Sequence, residues 1–194
     1  MYRLNNILLL IVLCAVTSCS HQNSPMGKPL PKLAYGHLTP YTIHGGSVVI
    51  QQSFRPTQQM EILEATLPIA PDMLIQQYAN KRFVTSGAAP KLVFDIQNAA
   101  VRKEADEENL VGFLSGMSED YYRLNVFITM TPIRTDGHRA APFTVKLKRE
   151  LFIPQNASVA EREFRQFELL EKMIIDIDGT VTDIVNNKMT AEYF

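Results

Sequence analysis

Two aspartates near the end of the chain are the residues best placed, by type and spacing, to do chemistry. Met173-Ile174-Ile175-Asp176-Ile177-Asp178-Gly179-Thr180 sets two carboxylates two positions apart behind an apolar run. Carboxylates are among the side chains that general acid–base and nucleophilic catalysis use. The remaining candidates are thinner. His21, His37, His44 and His138 stand at no metal-ligand spacing from one another or from a cysteine. Ser115-Gly116-Met117-Ser118 lacks the Gly-x-Ser-x-Gly turn that exposes a nucleophilic serine, and no glycine-rich phosphate loop is present. The sequence therefore assigns no catalytic residue, no cofactor and no metal.

The aspartate pair resembles the first motif of haloacid-dehalogenase-type phosphatases. That resemblance implies a Ser or Thr, a Lys and two acidic magnesium ligands from a doubly wound domain following the motif, and only a short stretch to Phe194 follows here. The apolar spacing that starts at Phe167 also runs on through the pair, as in an amphipathic helix. The expectation is that Asp176 and Asp178 lie solvated on a helix face, with a phosphatase acting through them as the alternative function.

The opposite end of the chain is more telling. Arg3 precedes the uninterrupted apolar run Ile7 to Leu13, about half of the roughly 20 residues a spanning helix needs. Val16-Thr17-Ser18-Cys19 follows and resembles the lipobox of bacterial lipoproteins. The resemblance implies that residues 1–18 are a signal peptide, that Cys19 becomes the diacylglyceryl-bearing first residue, and that the protein faces the periplasm. In the family pattern Ser20, where Asp would favour inner-membrane retention, leans towards the outer membrane. Cys14 would leave with the signal, so the mature chain keeps one cysteine and no internal disulfide. Each buried methylene contributes about 0.8 kcal/mol, so two or three acyl chains anchor firmly where one is marginal. The 20 acidic and 19 basic residues leave a formal net charge of -1, which argues against nucleic acid as a partner.

From Ser20 to about Pro40 the chain is polar and proline-bearing, a tether of on the order of 25 Å, and residues 41–194 read as one domain. Ser47 to Phe54 reads as a strand, Asp72 to Phe83 as a helix, and Leu92 to Ala99 as a second strand. Tyr122 to Met130 and Phe143 to Leu151 alternate cleanly on either side of an Asp136-Gly137 turn, which predicts a hairpin. Ser158-Val159-Ala160-Glu161 is a capping box opening a helix with a stripe at Phe167, Leu170, Ile174, Ile177, Val181 and Ile184, and Gly179 predicts a kink or break in it. The expected fold is α+β, a mixed or antiparallel four-stranded sheet with two main helices on one face, in the order β-α-β-β-β-α.

Two surfaces invite binding. Leu110, Val111, Phe113, Leu114 and Met117, around Gly112 and Gly116, read as a flap for a lipid chain or partner protein, or as a segment tucked at the sheet edge. Arg123, Lys146 and Lys148, with Gln97, Asn125 and Phe127, fall on the outward face of the sheet as a basic patch for lipid phosphates, or as an ordinary solvated face.

The lipobox, the strand leading to Phe54-Arg55-Pro56, the Pro68-to-Phe83 helix closing at Gly87, and Arg149-Glu150 with Pro154 before Ser158-Val159-Ala160-Glu161-Arg162-Glu163 together resemble small proteobacterial lipoproteins of uncharacterised function. Tyr78 stands where that pattern has Trp, and the resemblance brings no catalytic residues across. At fold level the element order is similar to the lipopolysaccharide-assembly lipoprotein and to auxiliary lipoproteins of lipid-transport ABC systems. The expectation is a membrane-anchored, non-enzymatic accessory that binds an envelope protein or a lipid, with a structural envelope lipoprotein lacking a dedicated ligand as a further alternative.

Overall fold

Alternating apolar residues build the sheet, and one shift in their phase explains its shape. The computed structural model describes residues 38–104 and 119–189. In chain order the elements are β1 (Tyr41–Ile43), β2 (Ser47–Gln52), α1 (Gln58–Glu64), α2 (Pro71–Arg82), β3 (Phe83–Thr85), β4 (Pro90–Glu104), β5 (Glu119–Pro132), β6 (Phe143–Pro154) and α3 (Val159–Asn187). The fold is α+β, and its main sheet has the order β2-β4-β5-β6. Pairs β4–β5 and β5–β6 are antiparallel, whereas β2 runs parallel to β4. The two short helices make the crossover that a parallel connection requires.

Leu92, Phe94 and Ile96 of β4 face inwards, and beyond them the inward positions become Ala99 and Val101. A bulge between Ile96 and Asn98 inserts Gln97 and reverses the phase. The sequence places the end of this strand at Ala99, where the alternation breaks. In the folded chain it continues through the charged Arg102, Lys103 and Glu104, paired to Arg123, Tyr122 and Tyr121.

The inward faces of the strands form one core with Leu74, Ile75, Tyr78 and Ala79 of α2 and with Leu170, Met173, Ile177 and Val181 of α3. Both main helices therefore lie on the same side of the sheet. Helix α3 starts as expected, with Ser158 Oγ accepting from the Glu161 amide at 3.2 Å, but the Glu161 carboxylate accepts from Arg165 at 3.0 Å. It runs to Asn187 without a break, contrary to the expectation at Gly179, whose absent side chain faces open space. The stripe on the opposite side of α3 holds the helix together across that position.

Three elements were not foreseen. Helix α1 has Thr57 Oγ1 accepting from the Met60 amide at 3.4 Å, but its seven residues show too little periodicity to stand out. Strands β1 and β3 pair in parallel as a small second sheet, and three residues each are too short to carry an alternation signal. Gly45, with φ of 63°, turns the chain out of β1, and Gly87 packs so closely on it that a Cβ would meet the Gly45 carbonyl carbon at 2.5 Å.

Candidate functional site

The Asp176 and Asp178 side chains do not converge. Two residues apart on an α-helix are about 200° apart around its axis, so these carboxylates project towards different neighbours. Asp176 Oδ2 accepts from Arg149 Nε of β6 at 2.6 Å. Asp178 turns towards α2, where its Oδ1 lies 2.8 Å from Arg82 Nε and accepts a hydrogen bond from Tyr78 Oη, also at 2.8 Å. Arg82 is only 5 % exposed and donates further to Thr182 Oγ1 at 3.0 Å, to Tyr41 Oη at 3.2 Å and to the Thr39 carbonyl. Its guanidinium carbon sits 4.1 Å from the centre of the Tyr41 ring.

This corrects the expectation that both aspartates are solvated: Asp178 belongs to a buried polar clasp joining α2, α3 and the entry to β1. Burial, then the bond to Asp178, holds the Tyr78 phenol well above its ordinary pKa, so it remains a donor. In the sequence Tyr78 stands out as the residue in place of Trp, and Arg82 is assigned no role. An arginine and a tyrosine one turn apart, at positions i and i+4, were the available signal.

A second clasp closes the other end of α3. Asp120 is buried, with Lys103 Nζ 2.8 Å from Oδ1 and Arg162 Nη1 2.6 Å from Oδ2. Burial pushes its carboxyl up, but the bonds from Lys103 and Arg162 outweigh this and hold it below the usual range. Glu64, the last residue of α1, is the opposite case. It is 8 % exposed, and its Oε1 is buried without a hydrogen-bond partner. Burial, with Asp72 and Glu61 nearby, pushes its carboxyl up to about 7.

Arg123, Lys146 and Lys148 do share the outward face of β5 and β6, as their register requires. They are accompanied by anions. Arg123 Nη1 lies 2.7 Å from Glu104 Oε2, its Nη2 donates to Tyr121 Oη at 2.8 Å, and Lys148 Nζ lies 2.7 Å from Glu150 Oε1. Lys146 instead places its ammonium 5.1 Å from the centre of the Phe127 ring. Tyr121 and Phe152 stack at 4.8 Å beside them, with Phe152 exposed. The result is a mixed aromatic and ionic face, with Lys146 the one cation of the three that has no carboxylate beside it among the described residues. Cys19 and the apolar group Leu110, Val111, Phe113, Leu114 and Met117 lie outside the described residues.

Among the described residues no group of three His, Cys, Asp or Glu side chains is placed to hold a metal ion, and no helix is long and apolar enough to cross a membrane.

Comparison with solved structures returns lipoproteins at low similarity. The chain is similar to rare lipoprotein B from Shewanella oneidensis at 14 % identity and a TM-score of 0.38, over 73 % of this chain and 98 % of that one. A minor lipoprotein from Acinetobacter baumannii gives 13 % identity and a TM-score of 0.37 over 76 % and 92 % of the two chains. A lipoprotein from Caulobacter crescentus gives 11 % and 0.33 over 73 % and 93 %. Overlaps of this extent do not establish a shared family. No protein-family model and no curated protein matches the chain.

Proposed function

We propose that the chain is a bacterial lipoprotein, moored through Cys19 to a membrane leaflet facing the periplasm, and that its domain is a non-enzymatic accessory binding an envelope protein or a lipid. The observation that carries this reading is the succession of Arg3, the apolar run Ile7 to Leu13, and Val16-Thr17-Ser18-Cys19. The engagement of Asp176 by Arg149 and of Asp178 by Arg82 supports a non-catalytic role for that motif. Leu110 to Met117 and the face bearing Arg123, Lys146 and Lys148 are the proposed contact surfaces, and the Tyr121–Phe152 stack supplies apolar area beside the charges.

Cys19→Ala tests the anchor. Membrane fractionation with mass spectrometry of the N-terminal peptide is expected to find an acylated Cys19 in the parent, and in the variant an unacylated chain that keeps residues 1–18. Unchanged fractionation and processing in Cys19→Ala would remove the foundation of the reading. Photo-crosslinkers placed at Lys146 and Lys148 in intact cells then report what stands against the outward face, and their silence together with silence from Leu110 to Met117 rejects both surfaces.

A further inference from the structure

A cleft between α1 and the far end of β4 adjoins both the second clasp, through Lys103, and the outward face, through Glu104. Its volume is about 580 Å3, and Met60, Ile62 and Leu63 of α1 line it opposite Val101 and Arg102 of β4. That volume falls within the roughly 300–1,000 Å3 of small-molecule sites, so it suits one hydrocarbon chain and not a bundle of several. Apolar Met60, Ile62 and Leu63 share the lining with Thr57, Gln59 and Thr66; Leu63 packs on the core, and Val101 is fully buried. Ile62, by contrast, is 65 % exposed, a large aliphatic side chain in the lining that the described residues leave largely open.

The charges at the β4 end are unevenly committed. Lys103 is held by Asp120 at 2.8 Å, and Glu104 by Arg123 at 2.7 Å. Arg102 lines the same cleft, is exposed, and forms no ion pair among the described residues. An uncommitted guanidinium beside an apolar trough complements an anion carried on a hydrocarbon chain. Its planar fork matches the paired oxygens of a phosphate.

We infer that this cleft binds an anionic lysophospholipid, with the acyl chain along Met60, Ile62 and Leu63 and the phosphate at Arg102. The site goes beyond the anchoring role, because it uses neither Cys19 nor Lys146 and Lys148, although Arg102 lies in register with Arg123, and it can fail while the accessory reading stands.

The test is photolabelling of the purified full chain in a neutral detergent with lysophosphatidylglycerol carrying a diazirine on its acyl chain, followed by peptide mapping. Labels are expected on residues 57–66 and 101–104. Ile62→Asp is expected to lower labelling there by about tenfold, and Arg102→Glu by roughly fivefold. Both positions are exposed, and an unchanged thermal transition shows that the variants fold. Zwitterionic lysophosphatidylcholine is expected to label less, and a diazirine fatty acid less again. Equal labelling by the fatty acid would overturn the phosphate assignment. Labels falling elsewhere, or unaffected by both substitutions, would overturn the site itself, and labels on Leu110 to Met117 or beside Lys146 would do so while favouring the surfaces proposed above.

Discussion

Replacing Glu64 by Gln should make the protein more stable, and the gain should grow with pH. In the folded state this carboxyl has no cation paired with it among the described residues. It faces Asp72 of α2 and Glu61 one turn earlier, and sits at the end of α1 where the helix dipole also disfavours negative charge. Its pKa rises from 4.5 to about 7. The folded state therefore binds the proton more tightly than the unfolded chain does. Stability falls as pH climbs from the unfolded value towards the folded one, and the loss is complete above it. A difference of about 2.5 units at about 1.4 kcal/mol each gives at most roughly 3 kcal/mol at pH 8 and close to nothing at pH 4. Gln keeps the shape of the neutral acid and cannot ionise. For a domain of this size the expected shift in melting temperature is about 6–12 °C at pH 8. Circular-dichroism melts of parent and Glu64→Gln at pH 4 and pH 8 measure it. A difference that is the same at both pH values would refute the reasoning, because the other titrating groups are common to parent and variant and only Glu64 ionises in one and not the other.

Asp178→Ala should cost about 3–5 kcal/mol by leaving the Arg82 guanidinium buried without its anion, while Asp176→Ala at the half-exposed Arg149 pair should cost less than about 1 kcal/mol. Urea titrations of the two variants that reverse this order would contradict the clasp. Gly179→Ala should stabilise by about 1 kcal/mol, since nothing lies within 4 Å of the added carbon and the residue is helical. A lowered urea midpoint for that variant would mean that α3 bends there in solution.

The parts of the fold that were legible are those whose pattern is local and long. Helix α3 declared itself through Ser158 and its stripe, and the β5–β6 hairpin through clean alternation about Asp136-Gly137, where Gly137 takes φ of 83°. The parallel pairing of β2 with β4 was not legible, because it depends on a crossover whose first helix is only seven residues long. The end of β4 was misread because the bulge at Gln97 reverses the phase of its alternation. Of the candidate residues, Arg123, Lys146 and Lys148 could be assigned to one face from period two alone. The Lys148–Glu150 pair lies two residues apart on one strand and was open to the same reading, whereas Glu104 meets Arg123 from the neighbouring strand, a matter of register that the sequence of one strand does not contain. The Arg82–Asp178 pair is hidden for the same reason, its members lying on helices far apart along the chain.

The grip of Arg82 on the Thr39 carbonyl and the Tyr41 ring fixes how a pull on the chain N-terminal to residue 39 is shared out. Without it, tension would reach β1 first and open its three residues from β3 one bond at a time, like a zip. With it, the load passes sideways through the guanidinium into Asp178 and along the whole of α3, so that the domain resists being dragged from its N-terminal side with its longest helix and not its shortest strand.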